Sequence, residues 1–263
     1  MRSDRSAVVV TGATGGIGGA ICTKLIDTGY VVIAQYRSDE GSAEQLRRRA
    51  ADVGGTCILV RTDLRKEDAI DDIIAAVTRS EEDGIHVRGL VNNAAKLLSP
   101  SFADTRPLDF DEYFAINAKA PLFLAQALVP RMKAGGSIVN ISSASAHFSS
   151  PGDLVYAMSK AALESLTVNI AEAIAPDGIR VNCVIPGFTD NGHRAFSIPQ
   201  AREYMSSFSV LGGVSRPQDI AAVVLFLLSD RASRITGTGI DASGGSTLGA
   251  RGNRPGSVIH LLD

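Results

Sequence analysis

Ala7-Val8-Val9-Val10 runs without interruption into Thr11-Gly12-Ala13-Thr14-Gly15-Gly16-Ile17-Gly18-Gly19, and Ala20 to Thr28 then reads as a helix. No other stretch restricts the chain so much. A β-branched run with no polar alternation needs apolar cover on both faces, which is the mark of a buried parallel strand. The glycines let backbone N–H groups approach a pyrophosphate closely, and the start of a helix adds unpaired donors and a favourable dipole. The spacing Gly12-x-x-x-Gly16-x-Gly18 is not the generic G-x-G-x-x-G, but strand and helix flank it in the order a nucleotide-binding unit requires.

The alternation then continues. Val31-Val32-Ile33-Ala34 is a second strand whose tip reads Gln35-Tyr36-Arg37-Ser38. A carboxylate at that tip would bind a ribose 2′-OH, whereas Arg suits a 2′-phosphate, so Arg37 and Ser38 point to NADP, with Asp39 and Glu40 just beyond keeping NAD open. Ser42 to Val53 is a polar helix, Cys57 to Val60 a third strand, and Lys66 to Glu82 an amphipathic helix. Asp63, at a strand end, suits either a helix cap near Glu67 or the adenine amino group. Gly89-Leu90-Val91 leads into Asn92-Asn93-Ala94-Ala95 at the ligand-binding end of a strand. An unbroken βαβαβαβ order predicts a parallel, right-handed, doubly wound sheet.

Phe110 to Met132 reads as one long helix with Asn117 in its middle, an awkward place for an amide that competes with backbone hydrogen bonds. A task such as holding a water or kinking the helix would account for it. Gly136 to Ile141 is a fifth strand running into Ser142-Ser143. In the helix Leu154 to Leu166, Tyr156 and Lys160 are four residues apart and leave the same face, and Ser143 stands thirteen residues before Tyr156. A free phenol titrates near pH ~10, and a nearby ammonium favours the phenolate. Ile179 to Val184 is a sixth strand ending in Pro186-Gly187-Phe188-Thr189, residues 190–213 read as a weakly periodic lid, Gln218 to Leu228 is an apolar helix, and Gly239 to Ala242 a last strand. No linker or repeat divides residues 1–263, which form a single domain with a tail at 246–263 in which Arg251 to Pro255 is basic and Val258 to Leu262 suits a strand or an arm.

Composition excludes several function classes. A net charge of −2 gives no field that would recruit nucleic acid or an anionic membrane. Cys22, Cys57 and Cys183 are too far apart for a metal site or a disulfide framework, and His86, His147, His193 and His260 lack companions at ligand spacing, so no metal is expected. The apolar run at Ala7 is too short for a signal peptide, which leaves a cytoplasmic address by default.

Together these motifs resemble the short-chain dehydrogenase/reductase family, from about Ala7 to Gly245. The resemblance implies a Rossmann-type α/β fold of about seven strands with helices on both faces. It implies Tyr156 as acid/base, Ser143 positioning the substrate oxygen, Lys160 binding the nicotinamide ribose and lowering the Tyr156 pKa, and Asn117 holding a water. It also implies a pyrophosphate site at Gly12, Thr14, Gly16, Ile17 and Gly18, adenine contacts from Asp63 and Leu64, adenosine-side backbone contacts from Asn92 and Ala94, and carboxamide contacts from Gly187 and Thr189. Ala95 departs from the family's usual Gly. The expected activity is NADP(H)-dependent ketone reduction on a 3-oxoacyl or polyketide-like substrate, with an NAD-linked alcohol or sugar dehydrogenase, or a catalytically silent cofactor sensor, as rivals. His147, Phe148, Phe188, His193 and Phe196 are expected to line the substrate pocket, and the apolar helices 110–132 and 154–174 to build a homodimer or homotetramer.

Overall fold

In the computed structural model, which describes residues 5–97, 99–149 and 151–248, seven strands make one sheet: β1 (Arg5–Val10), β2 (Val31–Tyr36), β3 (Cys57–Arg61), β4 (Ile85–Asn92), β5 (Ser137–Ile141), β6 (Arg180–Pro186) and β7 (Gly239–Ala242). All neighbours pair in parallel, in the order β3-β2-β1-β4-β5-β6-β7. β2, β5 and β6 are buried at every position, as strands covered on both faces must be.

The cover comes from α1 (Gly16–Asp27), α2 (Glu40–Asp52), α3 (Ala69–Glu82), α4 (Pro107–Phe114), α5 (Ala120–Leu128), α6 (Leu154–Ala173), α7 (Pro199–Ser206) and α8 (Pro217–Leu228). Side chains alternate across a strand, so β1 serves two cores: Val8 and Val10 pack with α1, α2 and α8, whereas Ala7 and Val9 pack with α3, α5 and α6. The strand order reverses between β1 and β4, and the crevice of such a sheet opens at the carboxyl ends of those strands. The glycine turn and the Asn92–Ala95 loop both arrive there.

Several boundaries move for identifiable reasons. α3 begins at Ala69 rather than Lys66, because Asp63 and Lys66 close a turn (Lys66 N to Asp63 O, 2.9 Å) before the helix starts. The long helix expected over 110–132 is α4, a π-helical turn (Ala115–Lys119), α5 and a 3-10 turn (Val129–Arg131). Residues 190–213, expected as a weakly periodic lid, hold a 3-10 turn (Arg194–Ser197) and α7, whose two turns are too short to show periodicity. In the tail, Ser246–Leu248 forms a 3-10 turn, while the basic stretch and the expected strand or arm at 258–262 lie outside the described residues. Cys22, Cys57 and Cys183 are free and buried, and burial lifts the Cys57 and Cys183 thiols to about 12, so they are inert thiols. No helix among the described residues is long and apolar enough to cross a membrane.

Candidate active site

The glycine turn is bare backbone because nothing else fits. A Cβ on Gly18 would lie 2.1 Å from Gly12 O, and one on Gly12 (φ +63°) would lie 2.8 Å from Ala94 Cα. The turn is held from both sides. Gly12 N donates to Gln35 Oε1 (2.9 Å), and Gln35 Nε2 donates to Thr62 O (2.7 Å). From the loop after β4, Asn93 Nδ2 donates to Thr11 O and Gly12 O (2.9 and 3.0 Å), while Asn93 N and Ala94 N both donate to Thr11 Oγ1 (3.0 Å). No side chain caps α1, so its first N–H groups remain available to an anion in the crevice. Gly18→Ala is expected to cost about 3 kcal/mol, the upper end for overpacking, because the clash is with backbone. Gly19→Ala, whose Cβ would sit 3.7 Å from Ala13 O, should be neutral or stabilising, and denaturant titration of the two variants checks the contrast.

Gln35 and Asn93 were not read as site residues from the sequence. A glutamine inside an apolar strand was the available signal for the first. For the second, the expected partner was its neighbour: Asn92 is buried, with Nδ2 donating to Asn140 Oδ1 (2.8 Å) across the sheet, and it is Asn93 that lines the crevice. The two-residue period of a strand turns adjacent side chains to opposite faces.

At the β2 tip, Arg37 and Ser38 line the crevice. The carboxylates after them are otherwise engaged. Asp39 caps α2, accepting from Ser42 N (3.0 Å) and Ser42 Oγ (2.8 Å). Glu40 faces Arg61 (3.6 Å). Asp63 and Leu64 form the adjoining wall. Asp63 does not cap α3: the Arg65 fork (2.6 Å) holds its carboxyl down at about 2, with Arg37 adding to the effect.

At the other end, α6 places Tyr156 and Lys160 on the crevice wall beside Ser143. Lys160 is buried and donates from Nζ to Ile141 O (2.7 Å), and burial lowers its pKa to about 8. Burial pushes the Tyr156 phenol up to about 12, against a hydrogen bond with Ser143 that acts the other way. The ammonium lies 5.7 Å from the Tyr156 ring centre, and the phenol stays above its ordinary range. Asn117 sits in the π-turn, fully buried, where the extra residue per turn absorbs what a regular helix would not tolerate. Its Oδ1 accepts from Lys96 N (2.9 Å), and its Nδ2 donates to Lys96 O (3.2 Å) and Ser159 Oγ (2.9 Å). Asn117 therefore ties the loop after β4 to α6 from behind the wall.

Gly187 and Thr189 close the floor after β6. A Cβ on Gly187 would meet Ser243 O at 2.6 Å, and Thr189 Oγ1 donates to Gly187 O (3.1 Å). The roof is tied down by Ser215, which bridges Thr189, accepts from Asp190 N (2.9 Å) and donates to Phe188 O (3.0 Å). Phe148, Phe188, His193 and Phe196 line the crevice as expected, joined by Tyr204, Met205 and Phe208 from the α7 region. His147 does not: it turns away to Glu164 (3.1 Å). The whole crevice measures about 1220 Å³.

Residues 12–247 match a family model described as enoyl-(acyl carrier protein) reductase. The chain is 32% identical to the 3-oxoacyl-[acyl-carrier-protein] reductase FabG of Thermotoga maritima, with 94% of this chain and 100% of that protein aligned. Among solved structures it resembles the angucycline C-6 ketoreductase LanV with bound NADP, at 36% identity and a TM-score of 0.88 over 94% of this chain and 100% of that one. It resembles equally LugOII, a promiscuous reductase that catalyses keto-reduction at C1 during lugdunomycin biosynthesis, at 36% identity and a TM-score of 0.89, with 94% and 100% covered.

Proposed function

The chain belongs to the short-chain dehydrogenase/reductase family of oxidoreductases, and we propose that within it this protein is an NADP(H)-dependent biosynthetic ketoreductase acting on a 3-oxoacyl or polyketide-like ketone. One observation carries the reading: Ser143, Tyr156 and Lys160 stand at one end of a continuous crevice whose other end is the glycine turn with Arg37 and Ser38. The bare-backbone turn, impassable to any Cβ at Gly18, fits a dinucleotide pyrophosphate, and NADP is bound in the LanV structure.

Bound NADPH supplies the hydride. The turn from Gly12 to Gly18, with Thr14 and Ile17, takes the pyrophosphate on open N–H groups; Arg37 and Ser38 take the 2′-phosphate; Asp63 and Leu64 flank the adenine. Ala94 and the Asn92–Asn93 backbone face the adenosine side, Gly187 and Thr189 hold the carboxamide, and Lys160 holds the nicotinamide ribose. Ser143 orients the carbonyl oxygen, and Tyr156 gives it a proton as negative charge develops there. A phenol near 12 is fully protonated at neutral pH, which suits it as the acid of reduction better than as the base of oxidation.

A pH dependence follows. Lys160 carries its charge below about 8 and loses it as pH rises through that value, removing the cation that stabilises the phenolate left after proton transfer. Ketone reduction under saturating NADPH should be flat through neutral pH and decline above about 8, read from initial rates across that range. The exposed apolar side chains on α4, α5 and α6, among them Phe110, Leu122, Phe123, Met158 and Val168, support a homodimer or homotetramer, which light scattering on the purified chain tests. A cytoplasmic location is part of the same reading.

A further inference from the structure

We propose that the substrate side of this crevice selects ketones fused to a flat aromatic ring, and that Phe208 sets that selectivity. The inference rests on the ketoreductase reading and goes further, to the shape and chemistry of the substrate.

The chain is poor in aromatic residues, with nine Phe, five Tyr and no Trp. Yet three separate segments bring four rings together on one wall. Phe148 comes from the turn after β5, Phe188 from the turn after β6, and Tyr204 and Phe208 from α7 and its C-terminal end. Phe208 is the hub: its ring centre lies 5.3 Å from Phe188 and 5.2 Å from Tyr204, both edge-on, and 5.9 Å from Phe148 at a tilt. These are the separations at which ring quadrupoles attract, and a further aromatic ring entering the group meets the same preference. The wall adjoins the reacting centre, since Phe148 packs against the cluster of Ala144, Cys183 and Ile185, and Ala144 is the residue after Ser143.

An aromatic hub that served only to fold the protein would be sealed from water, as Tyr113 is. Here Phe188 is 38% and Tyr204 64% exposed, so the rings keep apolar surface open to the crevice. Size agrees. A crevice of about 1220 Å³ exceeds the roughly 300–1,000 Å³ of a single-ligand pocket, leaving room beside a dinucleotide for a molecule of several rings.

The test compares α-tetralone with α-decalone, which share a carbon skeleton and differ in having one ring aromatic and flat, using the full chain and NADPH. The wild type should show kcat/KM for α-tetralone at least about tenfold above α-decalone, the scale set by a few aromatic contacts. Phe208→Leu should bring the two within about twofold, and Phe208→Tyr should restore the preference. NADPH affinity, unchanged in both variants, shows that the fold is intact. A wild type that treats the two ketones alike, or a Phe208→Leu variant that keeps the preference, overturns the proposal. If neither ketone is reduced, the ketoreductase reading is at fault, and calorimetric titration with α-naphthol decides the wall separately. Binding that Phe208→Leu weakens sustains it, and absence of binding overturns it.

Discussion

Replacing Tyr156 by Phe should lower kcat for ketone reduction by about a hundred- to ten-thousand-fold, the range for loss of a positioned general acid, while NADPH affinity stays within about twofold. The substitution removes one hydroxyl and keeps the ring, so the α6 wall, the burial of Lys160 and its bond to Ile141 O are undisturbed. Ser143 alone cannot replace the lost proton: an aliphatic hydroxyl can hold the developing oxyanion by hydrogen bonding, but it does not hand over a proton near neutral pH. The loss should fall on kcat and kcat/KM together, since the proton is transferred only in the transition state. Wild-type turnover in this variant, measured on any ketone the native chain reduces, would remove Tyr156 from the chemistry.

Replacing Arg37 by Ser should weaken NADPH about ten- to hundredfold and leave NADH nearly unchanged, because a hydrogen bond to a charged group is worth about 1.5–3 kcal/mol. The carboxylates near Arg37 are engaged elsewhere. Asp39, the carboxylate best placed to prefer a ribose hydroxyl, is committed to capping α2 through Ser42, and Glu40 faces Arg61. Arg37 is exposed, so the discrimination should shrink at high salt as screening grows. Fluorescence titration with both cofactors at two ionic strengths reads the effect, and equal wild-type affinity for NADPH and NADH would contradict the assignment.

Much of this was legible before the structure, because strands buried on both faces must be apolar throughout and their connections must be helices. The β-branched runs of β1 and β2 therefore announce the parallel sheet, and the motif order places ligands at the carboxyl ends of the strands, where the structure has the β1/β4 reversal. Asn117 was legible as an anomaly but not as a π-turn, since the choice between a bend, a water and a π-turn depends on Lys96 and Ser159, which only the tertiary fold brings near. Which of Asn92 and Asn93 faces the crevice turns on strand phase at the last residue of β4, where the sequence pattern is weakest. The Arg65 fork on Asp63 and the turn of His147 toward Glu164 are side-chain choices among several charged neighbours, which spacing does not rank. α7 is not legible in the sequence because two turns with one buried residue, Met205, have no periodicity to read.

The central claim is that this crevice moves hydride from NADPH to a ketone while Tyr156 supplies the proton. The most direct measurement offers the purified full chain NADPH carrying deuterium at the transferable nicotinamide position, with a panel of ketones, and examines the alcohols by mass spectrometry. The wild type should form an alcohol with deuterium on its carbinol carbon, and Tyr156→Phe should lose it. A chain that binds NADPH tightly yet forms no labelled alcohol across the panel would contradict it and mark the protein as a cofactor sensor.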